Sequence, residues 1–227
     1  MRRSGETIRL YHATNFFRLE PGGRVALFRS SEDRKARQAG VDEARIPPGQ
    51  YYTDKWPVLQ AGSVPRVDLA TWDFRAFGLV KQPIRLSFDD VVALGAREQT
   101  SDIHCVTRWT KLDMPWKGVP MKALLDVVQP LDSVRFVIAH AEQGYTANLP
   151  IEVIRDDDVM LAYEAEGRPL TPEHGYPLRL LVPSRYFWKS AKWLRGIEFS
   201  DTDKPGFWEG YGYHNEADPW REERYGF

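Results

Sequence analysis

Cysteine is nearly absent: Cys105 is the only one in 227 residues, so no intrachain disulfide can form and a disulfide-stapled scaffold is excluded. No run approaches the roughly 18 consecutive apolar residues of a membrane-spanning helix. Charge of one sign is not in excess either. A net charge of −1 lacks the concentrated positive charge that a phosphate backbone demands, which excludes nucleic acid as the main partner. There is no G-x-x-x-x-G-K-[ST] phosphate loop, Gly210-Tyr-Gly212 falls short of G-x-G-x-x-G, and no G-x-S-x-G elbow occurs. Without C-x-x-C or H-E-x-x-H spacing, a zinc site would have to be assembled from Cys105 and scattered histidines.

What is present reads as a globular chain. A hydrophobic content of 42% with 13% aromatic residues supports a packed core, and the length suits one sizeable domain. Residues 1–45 are rich in arginine and read as a basic extension, with a short polar helix over Ser31–Gln38. Arg2 and Arg3 have no apolar stretch behind them, so the expectation is a soluble, cytoplasmic protein. Residues 46–227 form the domain. Thr71–Gly78, Val134–Ala139, Tyr145–Leu149, Met160–Glu164, Leu178–Val182 and Arg195–Phe199 read as strands. Helices are expected from Ser87 to Leu94, from Pro120 to Val128, and as a short turn over Ile151–Asp157. Without steady βαβ alternation, the fold class is α+β with mixed sheets in a single domain.

Chemistry concentrates in Asp102–Pro120, DIHCVTRWTKLDMPWKGVP. A lone cysteine is commonly a small buried hydrophobe. Here Arg108 and Lys111 lie close in sequence, and nearby cations favour the thiolate, the metal-ligating form. A strand over Asp102–Thr107 would turn Cys105 one way and His104 the other, so the two would not chelate one metal. Cys105 then becomes a single thiolate at a strand end, which suits a soft metal whose other ligands are not protein side chains. Arg108 and Lys111 read either as solvated charges or as cations drawing an anionic or strongly polar oxo-substrate to that metal. Arg179, inside an apolar strand, needs a partner: a carboxylate such as Glu198, or a phosphate gripped by its fork. The proline- and glycine-bearing loop Ile46–Pro57 offers Tyr52, Lys55 and Trp56 for hydrogen bonding and stacking.

The run HCVTRWTKLDMPWKGVPMKALL resembles the metal-ligand segment of the sulfite oxidase-like molybdopterin oxidoreductases. HGYPLRLLVPSRYFWKSAKWLRGIEF resembles that family's cofactor-binding segment, and GFWEGYGYHNEADPWREERY is similar to the tail of its small bacterial branch. Together these cover roughly residues 46 to 225.

The resemblance implies a sulfite oxidase-type fold around one molybdopterin, a pterin carrying a dithiolene and a phosphate. It makes Cys105 the protein's ligand to molybdenum, and Arg108, by its charge beside that cysteine, is the expected catalytic cation at the substrate. Arg179 falls to the phosphate, and His174 to the pterin at a position where some members have asparagine. Ser190, Ala191 and Lys192 match the family's Ser-x-Lys element, and Tyr52, Lys55 and Trp56 fall in its first cofactor loop. His140 and the turn Glu142-Gln143-Gly144 are expected to border the cofactor, and Tyr213 and His214 to close over the domain. The implied reaction moves an oxygen atom and two electrons to or from a small sulfur oxo-substrate, as sulfite oxidation or S-oxide reduction. With no haem domain and no spare cysteines for an iron–sulfur cluster, a separate electron-transfer partner and a monomer are expected. The alternative is a non-catalytic pterin-binding or interaction protein that retains the fold.

Overall fold

The computed structural model describes residues 40–226. The basic extension up to residue 39, including the helix expected over Ser31–Gln38, lies outside the described residues. Two sheets form the frame. The first holds β1 (Tyr51–Tyr52), β4 (Arg97–His104), β5 (Trp109–Pro120), β8 (Met160–Ala165), β9 (Arg168–Pro169) and β10 (Arg179–Leu181). Its path runs β1-β5-β8-β10, with β4 also on β5 and β9 also on β8. The second holds β2 (Phe74–Gly78), β3 (Ile84–Leu86), β6 (Phe136–Ala141), β7 (Thr146–Pro150) and β11 (Leu194–Ser200), in the order β3-β2-β11-β6-β7. Parallel and antiparallel pairs occur in both, so the sheets are mixed as expected.

Side-chain alternation gives each face its task. In β5, Thr110, Leu112, Met114, Trp116 and Gly118 are buried, while Lys111, Asp113, Pro115 and Lys117 are not. Along β8, Leu161 and Tyr163 join a core drawn from both sheets, whereas Met160 and Ala162 join a second cluster with Cys105, Trp109 and Trp116. Strand β10 splits the same way, with Leu180 in the inter-sheet core and Leu181 in the second cluster. Arg179, two residues before Leu181, therefore faces the second cluster.

The helices are short. α1 (Phe88–Ala93) starts in a capping box in which Ser87 accepts from the Asp90 N–H and Asp90 returns the bond to the Ser87 N–H, a device worth about 1 kcal/mol. α2 (Met121–Val128) buries Met121, Leu124 and Val128 along one stripe and ends at Gln129 in the left-handed region, φ 50°. α3 spans only Ile151–Ile154. Two expectations need correction. The strand carrying Cys105 stops at His104, because the chain reverses through a four-residue turn with Arg108 at φ 77°. The twelve-residue strand β5 was not foreseen, since Pro115 and Pro120 argue against a strand interior.

Candidate active site

Cys105 sits in the turn between β4 and β5, and its peptide is braced on both sides. Its N–H donates to the Trp109 carbonyl at 2.9 Å. Its own carbonyl accepts from the Arg108 N–H at 2.9 Å and from Gln50 Nε2 at 3.1 Å. Thr107 Oγ1 donates to Sγ at 3.2 Å. The thiol is buried, and burial pushes its pKa up, opposed by the Thr107 hydrogen bond and the positive charge of Arg224. This corrects the expectation of a thiol made acidic by Arg108 and Lys111. Arg108 is exposed at the turn, and Lys111 is taken up by the Asp54 carbonyl and Glu166. Desolvation wins because neither cation reaches the sulfur. The thiol would therefore have to give up its proton to serve as a metal ligand.

His104 points elsewhere, as expected: its ring is buried, shares a hydrogen bond with Thr110 Oγ1 at 2.9 Å, and has its pKa pulled down to about 4 by burial. Among the described residues no three His, Cys, Asp or Glu side chains converge to hold a metal ion. A metal on Cys105 must bring its other ligands with it.

A cavity of about 510 Å³ opens in front of the sulfur, well within the range of small-molecule sites. Trp56, Cys105, His174, Arg179, Ser190, Ala191 and Lys192 all line it, so three separate stretches of sequence converge. Glu142 and Gln143 line it too. Tyr52, Lys55, Arg108 and His140 do not. Lys55 is exposed beside β1, and His140 is engaged by Glu198 at 2.9 Å.

Arg179 is the deepest cation in the cavity lining, only 1% exposed. Its Nη1 donates to the His174 carbonyl at 3.0 Å and its Nη2 to the Ser190 carbonyl at 2.8 Å. The guanidinium lies 4.2 Å from the Phe187 ring centroid and 5.7 Å from those of Trp56 and Trp116. Its Nε is buried without a partner, and no ion pair to Arg179 exists among the described residues. Glu198, the carboxylate considered for it, is occupied by His140 and Lys204. Burial lowers the Arg179 pKa to about 9, which leaves it charged at neutral pH. An uncompensated buried cation with a free donor is built for an anion.

His174 stacks on Trp56 with centroids 3.8 Å apart, and its Nε2 is likewise buried and unpartnered. Ser190 Oγ accepts from the Val182 N–H at 2.9 Å, tying the lining to β10. Lys192 Nζ donates to the Leu59 and Glu173 carbonyls and to Gln60 Oε1 at 2.8–3.0 Å, strapping the loop at 56–62 to the turn Pro172–His174. All three acceptors are neutral.

Burial, helped by the charge of Arg179, pulls Lys192 down to about 7. Between about 7 and its ordinary 10.5 the unfolded chain holds this proton and the folded chain does not, so stability of the cofactor-free protein rises with pH across that window. Below it the buried cation is at its full cost. Lys192→Met should flatten this rise in denaturant midpoints measured at successive pH values, and an unchanged slope would remove the assignment.

The sequence did not point to Tyr145, Trp188, Phe207 or Trp208, which also line the cavity, and it gave Tyr213 only a covering role. Tyr145 donates from its hydroxyl to the Trp188 carbonyl at 2.6 Å. The glycine-spaced aromatics of GFWEGYGY were the one available signal for the rest.

Comparison with known proteins supplies the family. Residues 61–208 match the family described as oxidoreductase molybdopterin binding domain. An uncharacterised oxidoreductase of Bacillus subtilis (strain 168), YuiH, is 46% identical over 192 residues, covering 84% of this chain and 96% of its own. The protein-methionine-sulfoxide reductase catalytic subunit MsrP of Ralstonia nicotianae is 29% identical over 65% of this chain, which spans 51% of that protein's length. Among solved structures, the sulfane dehydrogenase SoxCD of Paracoccus pantotrophus superposes with a TM-score of 0.56 at 25% identity, over 61% of this chain and 40% of that one.

Proposed function

The chain belongs to the molybdopterin-binding oxidoreductases, and from that premise we propose that it reduces neutral S-oxides at a molybdenum centre ligated by Cys105. It is an enzyme of the sulfite oxidase-like type, and molybdopterin is its cofactor. The residues present fit that group. Cys105 offers a single thiolate, and the unpartnered Arg179 Nε and His174 Nε2 border a cavity of suitable size. In this reading Arg179 holds the phosphate, with Lys192 beside it adding positive charge. His174 and Trp56 hold the pterin, and Ser190 and Ala191 supply the wall. When bound, the cofactor supplies the two-electron chemistry. The chain contributes one sulfur, an aromatic enclosure that excludes water, and the cations that bind the cofactor.

The observation that selects the substrate is the uncharged lip of the cavity. Pro57, Val58, Leu59 and Gln60 form it, with Val58 and Leu59 47% and 49% exposed. Arg108 lies outside, and the two lining cations are engaged with the pocket's own carbonyl groups. Glu142 adds a negative charge to the lining, held by Arg195 at 3.2 Å. Sulfite would bring its charge past a lip that offers no counter-charge, whereas a sulfoxide carries an apolar body and no net charge. Reduction of the sulfoxide takes two electrons and two protons and releases the thioether and water. The electrons come from a separate redox protein.

Purified from a host that makes molybdopterin, the protein should carry about one molybdenum per chain. A kcat/KM for aryl or alkyl sulfoxides at least about tenfold above that for sulfite is the expected ratio, the size of step that a few pocket contacts set. Preference for sulfite would reverse the substrate reading. A metal-free protein from the same host would favour the non-catalytic alternative.

A further inference from the structure

Phe207, Trp208 and Tyr213 line the cavity from a C-terminal segment whose only regular element between 201 and 216 is the turn Glu209–Tyr211. What pins that segment is a buried polar network. Lys189 and Glu209 form an ion pair at 2.6 Å with side chains 0% and 3% exposed. Lys189 Nζ spends its other two protons on the Asn148 carbonyl and Oδ1, at 2.8 and 2.9 Å. Trp188 Nε1 donates to the same carboxylate at 2.8 Å. Asn148 Nδ2, on β7, donates to Asp203 and Asn215 at 2.7 Å each. The segment is thus held at positions 203, 209 and 215 through three residues of the domain, Asn148, Trp188 and Lys189.

Location gives the network its consequence. Lys189 stands between Trp188 and Ser190, and Glu209 follows Trp208; all three neighbours line the cavity. A further constraint acts at Gly206, whose N–H reaches Asn148 Oδ1 at 3.2 Å. A Cβ there would lie 2.6 Å from the Thr146 carbonyl oxygen, 2.7 Å from Glu209 Oε2 and 2.8 Å from the Ala147 Cα. The segment therefore lies on β7 at a separation that only glycine permits. Buried ion pairs add little to stability compared with well-packed apolar residues, but they fix which groups meet.

We propose that Lys189 and Glu209, with Asn148, are positioning residues that set the aromatic wall of Phe207, Trp208 and Tyr213 over the cavity, and through it the retention of the pterin and the fit of the S-oxide. The proposal rests on the pterin reading of the site. Its test uses two variants that reach the wall differently: the volume-matched double change Lys189→Met/Glu209→Leu, which removes the pair, and Gly206→Ala, which keeps both charges but pushes the segment off β7 and presses on the Glu209 carboxylate. In cofactor-free protein, amide exchange across 203–216 should quicken about tenfold in both while β6 and β11 keep their protection. In loaded protein, molybdenum should be lost about tenfold faster on dialysis, the size expected of an outer-shell partner. KM for the sulfoxide should rise several-fold with kcat per bound molybdenum unchanged, a split that plain destabilisation does not give. Faster exchange without faster metal loss or a raised KM would overturn the proposal, as would wild-type exchange in two folded variants. A wild-type chain that never takes up molybdenum would instead fail the pterin reading, and the exchange experiment would still decide whether the pair holds the wall.

Discussion

Cys105→Ser should fold normally and lose turnover by more than about 100-fold, beyond the 10–100-fold cost of removing an outer partner of a metal site. The loss has a single cause. Among the described residues no cluster of protein ligands surrounds the sulfur, so no second side chain can take over from it. Folding is spared because serine is nearly isosteric and Thr107 Oγ1 remains beside it. The turn itself is held by backbone and Gln50 bonds that do not involve the sulfur. A stability change of about 1 kcal/mol or less is expected. Pterin content should fall less than activity, since Arg179, His174 and Lys192 are untouched. Sulfoxide reduction within about tenfold of wild type would dismiss the mechanism, because a direct ligand cannot be worth less than an outer partner.

Arg179→Met should empty the site while leaving the fold intact. Methionine keeps most of the arginine's length and can fill the space between Phe187, Trp56 and Trp116. Two carbonyls, of His174 and Ser190, lose a donor, at about 1–3 kcal/mol each if left dry. Against that, a buried cation with no counter-ion disappears, which returns several kcal/mol of desolvation. The net change in cofactor-free stability should stay within about 2 kcal/mol, while molybdenum and organic phosphate per chain fall more than about 100-fold. Arg179→Lys should not restore binding, since an ammonium lacks the planar fork. If the methionine variant kept its cofactor and lost about 3–5 kcal/mol, as when a buried ion pair is broken, Arg179 would be an architectural residue.

Much of this was legible in the sequence because local patterns match the fold. Trp72, Phe74 and Ala76 alternate and are all buried, Ser87 caps its helix, and the Glu142–Gly144 turn joins β6 to β7. Arg179 stood out because an arginine among leucines and valines has to be accounted for. Two things were not legible. Counting charges near Cys105 gave the wrong sign for its pKa, because sequence neighbours say nothing about burial and Arg108 turns outward at a left-handed backbone. The wall supplied by Phe207, Trp208 and Tyr213 depends on Asn148 and Lys189, tens of residues away. No periodicity encodes such a contact.

Strand β10 belongs to two compartments at once. Leu180 faces the inter-sheet core, while Arg179 and Leu181 face the second cluster, and the Leu180 N–H is tied to the Ala191 carbonyl in the cavity wall at 2.9 Å. Three residues of backbone cannot move for one side without moving for the other. Anyone engineering this protein for heat by repacking around Leu180 will therefore be retuning its affinity for the pterin as well. Thermostable variants should be sought on the far edge of the second sheet, where Ile84 and Leu86 sit well away from that shared hinge of interests.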